Sequence, residues 1–113
     1  MSNRMEQVNS MIQKELAYLV NKDIYVKDAL VTVSYVDCAP DLRDATIGIS
    51  VLPENFSTKA IKILRSNSRI LSEQLKKKTR IKIIPKFHWK IDTTESKASE
   101  IEDILLQIRE EDK

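Results

Sequence analysis

The hydrophobic period of this chain changes repeatedly along its length, and that succession of periods leaves few folds open. Met5, Val8, Ile12, Leu16 and Leu19 recur at helical spacing, behind an Asn3/Glu6 pair that resembles a capping box. They predict a first helix from about Arg4 to Val20. From Leu30 to Val36 the period drops to two: Val31, Val33 and Tyr35 take one side, Thr32 and Ser34 the other. Ala45 to Leu52 repeats the alternation, with Ile47, Ile49 and Val51 set against Thr46, Gly48 and Ser50. After Ser57, read as an N-cap, the helical period returns. Ala60, Ile61, Leu64, Leu71 and Leu75 fall on one stripe of a helix reaching to about Lys78. Arg80 to Ile91 then alternates once more. Ile81, Ile83, Phe87, Trp89 and Ile91 oppose Arg80, Lys82, Lys86, His88 and Lys90, and Ile84 alone is out of step.

Two alternating segments joined by the Pro- and Asp-rich stretch Asp37 to Asp44 form an antiparallel hairpin. The third strand returns through a helix, so it lies parallel to one hairpin strand. Pro85 has no N–H for a ladder, which places that strand at a sheet edge or gives it a bulge. The expected architecture is α-β-β-α-β, with helices on one sheet face and a polar, basic opposite face carrying Thr32, Ser34, Thr46, Ser50, Lys86, His88 and Lys90. Ser68 interrupts the apolar stripe of the second helix, inside Ser66-Asn67-Ser68. It stands for either a kink or a straight helix in which its hydroxyl bonds back to an upstream carbonyl. A last helix follows Asp92-Thr93-Thr94, with Ser99 and Glu102 as a second capping box and Ile101, Ile104, Leu105 and Ile108 as its apolar side.

At 113 residues, 42% hydrophobic and 32% charged, the chain reads as one globular domain, residues 1–113, with about 1–3 and 109–113 frayed. One cysteine, Cys38, closes no internal disulfide and supports no zinc cluster of several thiolates. It is read as a small packing residue. The apolar runs are too short to span a bilayer, and the N-terminus has no signal-peptide core. The expectation is a soluble cytoplasmic protein, monomeric and without metal or cofactor. A single histidine and a single glycine leave little for a nucleophile–base pair or a phosphate-cradling loop, so an enzyme is not expected.

Charge is sharply segregated. Residues 1–58 carry five Lys/Arg and eight Asp/Glu; residues 91–113 carry three and eight. Between them, residues 59–90 hold eleven cations and one acid, Glu73. Such a block repels itself and points to a polyanionic partner; a solvated face balanced by acidic flanks is the plainer reading. Lipid is the weaker polyanion, because the basic helix lacks Trp or Phe on its apolar side. Lys62, Arg65, Arg69 and Lys76 share a stripe about 120° from the apolar one. The candidate contacts are Lys62, Arg65, Ser68, Arg69, Lys76, Lys77, Lys78, Arg80, Lys82, Lys86 and Lys90. Neutralising about six phosphates would give a slope of log affinity on log salt of roughly −4 to −5. Phe87 and Trp89 share parity with Ile91 and read as core, His88 as either a solvated histidine or a phosphate neighbour. Arg43 either pairs with Asp41 or Asp44 or contacts the ligand.

The hairpin VTVSYVDCAPDLRDATIGISVL, Val31 to Leu52, with its Pro40-Asp41-Leu42-Arg43 turn, closely resembles the signature region of the ribosome-binding factor A family. Arg4 through Lys14-Glu15-Leu16, Ile84-Pro85 leading into Phe87-His88-Trp89-Lys90-Ile91-Asp92, and Ile101 through Leu105 are similar to that family's first helix, last strand and closing helix. The resemblance implies a KH-like domain of the second topology, with a kinked second helix, α(kink)α, and a C-terminal helix over a three-stranded mixed sheet. It implies a non-enzymatic assembly factor that binds the immature small ribosomal subunit and its rRNA, in late maturation and 16S rRNA processing. The family's Ala-X-Gly kink corresponds to Asn67-Ser68-Arg69, where the glycine is absent. The other function class is an adaptor whose basic face docks an acidic protein.

Overall fold

A computed structural model describes residues 3–92. Its elements are α1 (Asn3–Asp23), β1 (Leu30–Cys38), β2 (Asp44–Leu52), a 3-10 turn (Glu54–Phe56), α2 (Ser57–Lys78) and β3 (Lys86–Ile91). The order matches the succession of hydrophobic periods. β2 is central, antiparallel to β1 and parallel to β3, so β3 is an edge strand of the three-stranded sheet. The last helix expected around Ser99, Ile101, Glu102, Ile104, Leu105 and Ile108 lies outside the described residues.

One core joins all five main elements. Ile12, Leu16 and Leu19 of α1, Ile47 and Ile49 of β2, and Leu64, Leu71 and Leu75 of α2 are wholly buried. Val33 and Val36 of β1 and Phe87 and Trp89 of β3 complete it. The two aromatic rings pack edge to face, with centroids 5.6 Å apart.

Sheet and helix depart from the expected pattern where local chemistry overrides periodicity. The β1–β2 register shifts between Val33 and Tyr35, leaving Ser34 as a bulge. The bulge turns the remainder of β1 over: Val36 and Cys38 point inward, and Tyr35, expected beside Val33, pairs with Gly48 on the outer face. A Cβ on Gly48 would clash with the edge of the Tyr35 ring, so glycine is what accommodates the aromatic there. β1 is the other edge strand, and α1 covers it with polar side chains. Gln13 Nε2 donates to the carbonyl of Ser34 at 3.0 Å, and the N–H of Cys38 donates to Asn9 Oδ1 at 2.9 Å.

β3 starts at Lys86, six residues later than the alternation suggested. Arg80 to Pro85 form an irregular connection in which Ile81 and Ile84 are half-buried and Ile83 is 76% exposed. The pairing begins just after Pro85, the residue that cannot donate; the first inter-element bond is Lys86 N–H to the carbonyl of Arg43, 2.9 Å. Ser57 is not an N-cap. It already has helical backbone angles, the cap position is Phe56, and the 3-10 turn feeds the helix directly. α2 runs without a break through Asn67-Ser68-Arg69 instead of dividing into two helices. Ser66, Asn67 and Ser68 each donate to the carbonyl four residues back, at 2.8 to 2.9 Å, so they add to the helical ladder without interrupting it.

Candidate nucleic-acid interface

β3 is bounded on one side by β2 and, over its inner face, by α2. Between α2 and the start of β3 opens a cleft of about 660 Å³. Arg65, Ser68, Arg69 and Ser72 form its helical wall. Ile84 through Trp89 form the other wall, and Arg43 of the hairpin turn closes one end. The position of Arg43 follows from the Pro40-Asp41-Leu42-Arg43 turn. The N–H of Leu42 donates to the carbonyl of Ala39 at 2.8 Å, and that of Arg43 to Asp41 Oδ1 at 3.0 Å. Leu42 takes a left-handed φ of 60° within this turn. The Arg43 backbone is thereby committed to the turn, and the residue lines the cleft.

The two walls are joined by a hydrogen-bond relay. The Trp89 indole N–H donates to Ser68 Oγ at 2.7 Å, and the Ser68 hydroxyl donates to the carbonyl of Leu64 at 2.9 Å. A polar residue in the apolar stripe of α2 is explained by this need: a buried indole N–H requires an acceptor, and Ser68 is placed opposite it. Ser68 is thus half-buried and structural within the cleft wall, while Trp89 and Phe87 belong to the core as their parity suggested.

The cleft is cationic. Arg43, Arg65, Arg69 and Lys86 are all exposed. Arg69 Nε lies 3.5 Å from Glu73 Oε1 one turn along, on side chains that are 90% and 64% exposed, so the pair is solvated and weakly held. His88 Nε2 sits 2.7 Å from Asp44 Oδ1 across the β2–β3 pair. Among the described residues no cluster of His, Cys, Asp or Glu could hold a metal ion. Cys38 is buried and its thiol pKa is raised by desolvation first and by the Asp37 charge second, which suits packing and not reactivity.

Of the eleven candidate contacts, the fold gathers four into the cleft: Arg65, Ser68, Arg69 and Lys86. Lys62 and Lys76 lie outside its lining but extend the arginine stripe along α2, at three residues before Arg65 and seven after Arg69. Lys77, Lys78, Arg80, Lys82 and Lys90 are exposed elsewhere. Lys78 turns away toward α1, where its Nζ lies 3.8 Å from the centre of the Tyr18 ring. Lys90 sits on the outer sheet face, opposite Gly48. Sequence reasoning left Arg43 open and did not single out Ser72, because only the fold brings the hairpin turn and the middle turns of α2 to one place.

Fold and cleft together define a small KH-like α+β domain with a cationic groove between a helix and an edge strand. The family model for ribosome-binding factor A matches residues 4–105, and the chain belongs to that family. It is 28% identical to ribosome-binding factor A of Chlamydia abortus over 99% of this chain and 97% of that protein. The corresponding protein of Opitutus terrae is 29% identical, over 96% and 89%. The crystal structure of ribosome-binding factor A from Thermus thermophilus superposes with a TM-score of 0.69 at 18% identity, covering 77% of this chain and 93% of that one. A Thermus thermophilus homology model fitted into the cryo-EM map of a 30S–RbfA complex matches with a TM-score of 0.63 at 17% identity, covering 74% and 90%.

Proposed function

We propose that this protein is a ribosome assembly factor that binds the immature small ribosomal subunit through its rRNA and assists late maturation, including 16S rRNA processing. The observation that carries the reading is the cleft between α2 and β3, where four exposed cations from three separate elements face one groove. Three of them are arginines, whose planar guanidinium matches phosphate and stacks on bases. Family membership and the 30S-bound relative support the choice of partner. The protein acts by binding, as a monomer in the cytoplasm. Among the described residues no helix is long and apolar enough to cross a membrane.

The test is co-sedimentation with purified immature small subunits across a salt series. The expected result is a complex that dissociates with rising salt and loses affinity in an Arg65→Glu/Arg69→Glu variant that remains folded. Four phosphate contacts on single-stranded RNA would give a slope of about −3. A complex that survives RNA digestion would instead identify an adaptor for an acidic protein.

A further inference from the structure

The cationic surface does not end at the cleft. On α1, Lys14, Tyr18 and Lys22 follow at intervals of four, which places them in one row on the exposed side of the helix. Tyr18 is 52% exposed. Two ammonium groups from different helices converge on its ring: Lys78 Nζ at 3.8 Å and Lys22 Nζ at 6.0 Å from the centroid. The negative face of the ring attracts each cation but offsets only part of the repulsion between them. Helix dipoles account for lysines near each C-terminus. They do not account for two such lysines meeting on one aromatic ring. Glu15 and Asp23 lie beside this row in the chain, and among the described residues neither is ion-paired to it. A phosphodiester between the two ammoniums would supply a negative charge that no described residue gives there through an ion pair.

This place is separate from the cleft. Lys78 projects roughly 140° around the α2 axis from Arg65, and no residue of α1 lines the groove. A strand held by Arg65 and Arg69 therefore leaves the Tyr18 surface free. We propose that Lys14, Tyr18, Lys22 and Lys78 form a second phosphate-binding surface that takes a different segment of RNA backbone, so that one chain bridges two RNA segments. Tyr18 is the scaffold that holds the ammoniums together. The inference rests on the reading of the protein as an RNA binder and extends it.

The experiment uses the full chain and two single-stranded RNAs roughly eight nucleotides long, carrying a donor and an acceptor dye. Stoichiometry by native mass spectrometry and bridging by energy transfer are read at low salt. The wild type is expected to hold two RNAs and to give transfer. Lys22→Gln/Lys78→Gln should retain the cleft RNA, weaken the second by roughly tenfold and abolish transfer. Arg65→Gln/Arg69→Gln should lose the cleft RNA and keep the other. Two RNAs bound with undiminished transfer in the lysine variant would overturn the second surface, as would a wild type that takes only one. Retention of both RNAs by the arginine variant would sink the cleft while leaving this surface standing. Loss of binding to a polyglutamate peptide in the lysine variant, with RNA stoichiometry unchanged, would assign the surface to an acidic protein and reject the RNA proposal.

Discussion

At the scale of single residues, the most consequential contact is the one between Ser68 and Trp89. Replacing Ser68 by Ala leaves a buried indole N–H without an acceptor, at an expected cost of about 1–3 kcal/mol in chemical denaturation. Trp89→Phe removes the donor at the same time as its partner becomes dispensable. The double variant should therefore lose less than the sum of the single variants, and a cycle that is additive would refute the coupling. Cys38 gives a second expectation. Its folded thiol pKa is raised, so the folded state holds the thiol proton more tightly than the unfolded chain. This contribution to stability is complete below the ordinary thiol pKa and is lost as pH rises above it toward the folded value. Urea midpoints measured in mildly alkaline buffer should fall more for wild type than for Cys38→Ala. The packing role of Cys38 was legible in the chain, whereas the partner of Ser68 was not. Ser68 was an anomaly in an apolar stripe, and nothing near it in sequence names a tryptophan 21 residues away as the reason.

At the scale of elements, α1 serves as the cover of an edge strand as well as a core helix. Asn9→Ala frees the backbone N–H of Cys38 and Gln13→Ala frees the carbonyl of the Ser34 bulge. Each is expected to cost about 1 kcal/mol in thermal or urea unfolding and to speed hydrogen exchange in β1 ahead of β2. The pairing of Tyr35 with Gly48 makes a sharper test. Gly48→Ala forces the ring aside and should destabilise the hairpin, whereas the same substitution in a Tyr35→Ala background should be far milder. The helical and strand periods located both α-helices and all three strands among the described residues, because burial of one face is written directly into residue spacing. Boundaries were less legible. The bulge at Ser34 inverts the faces of half a strand, and the alternation before Pro85 continues in residues that pair with nothing in the sheet. Periodicity records which side chains are apolar, not which backbone groups find a partner.

At the scale of the whole molecule, the charge map matters as a surface. If the cleft alone binds, the salt slope is near −3; if the Tyr18 surface also engages, neutralising two or three more phosphates steepens it to about −4 to −5. Fluorescence titrations of a long single strand across a salt series separate these values, and the Lys22→Gln/Lys78→Gln variant should return the slope to the shallower one. The sequence by itself determined the order of elements, the single layered core and the presence of a cationic second half. These follow from local periodicity and composition, which need no knowledge of distant neighbours. Only tertiary structure decided which cations act together. Arg43 joins Arg65, Arg69 and Lys86 because a parallel strand starts beside the hairpin turn, and Lys78 leaves them because the helix carries it round toward Tyr18. Electrostatic cooperation depends on distance in space, and for residues tens of positions apart that distance is set by the packing of the core.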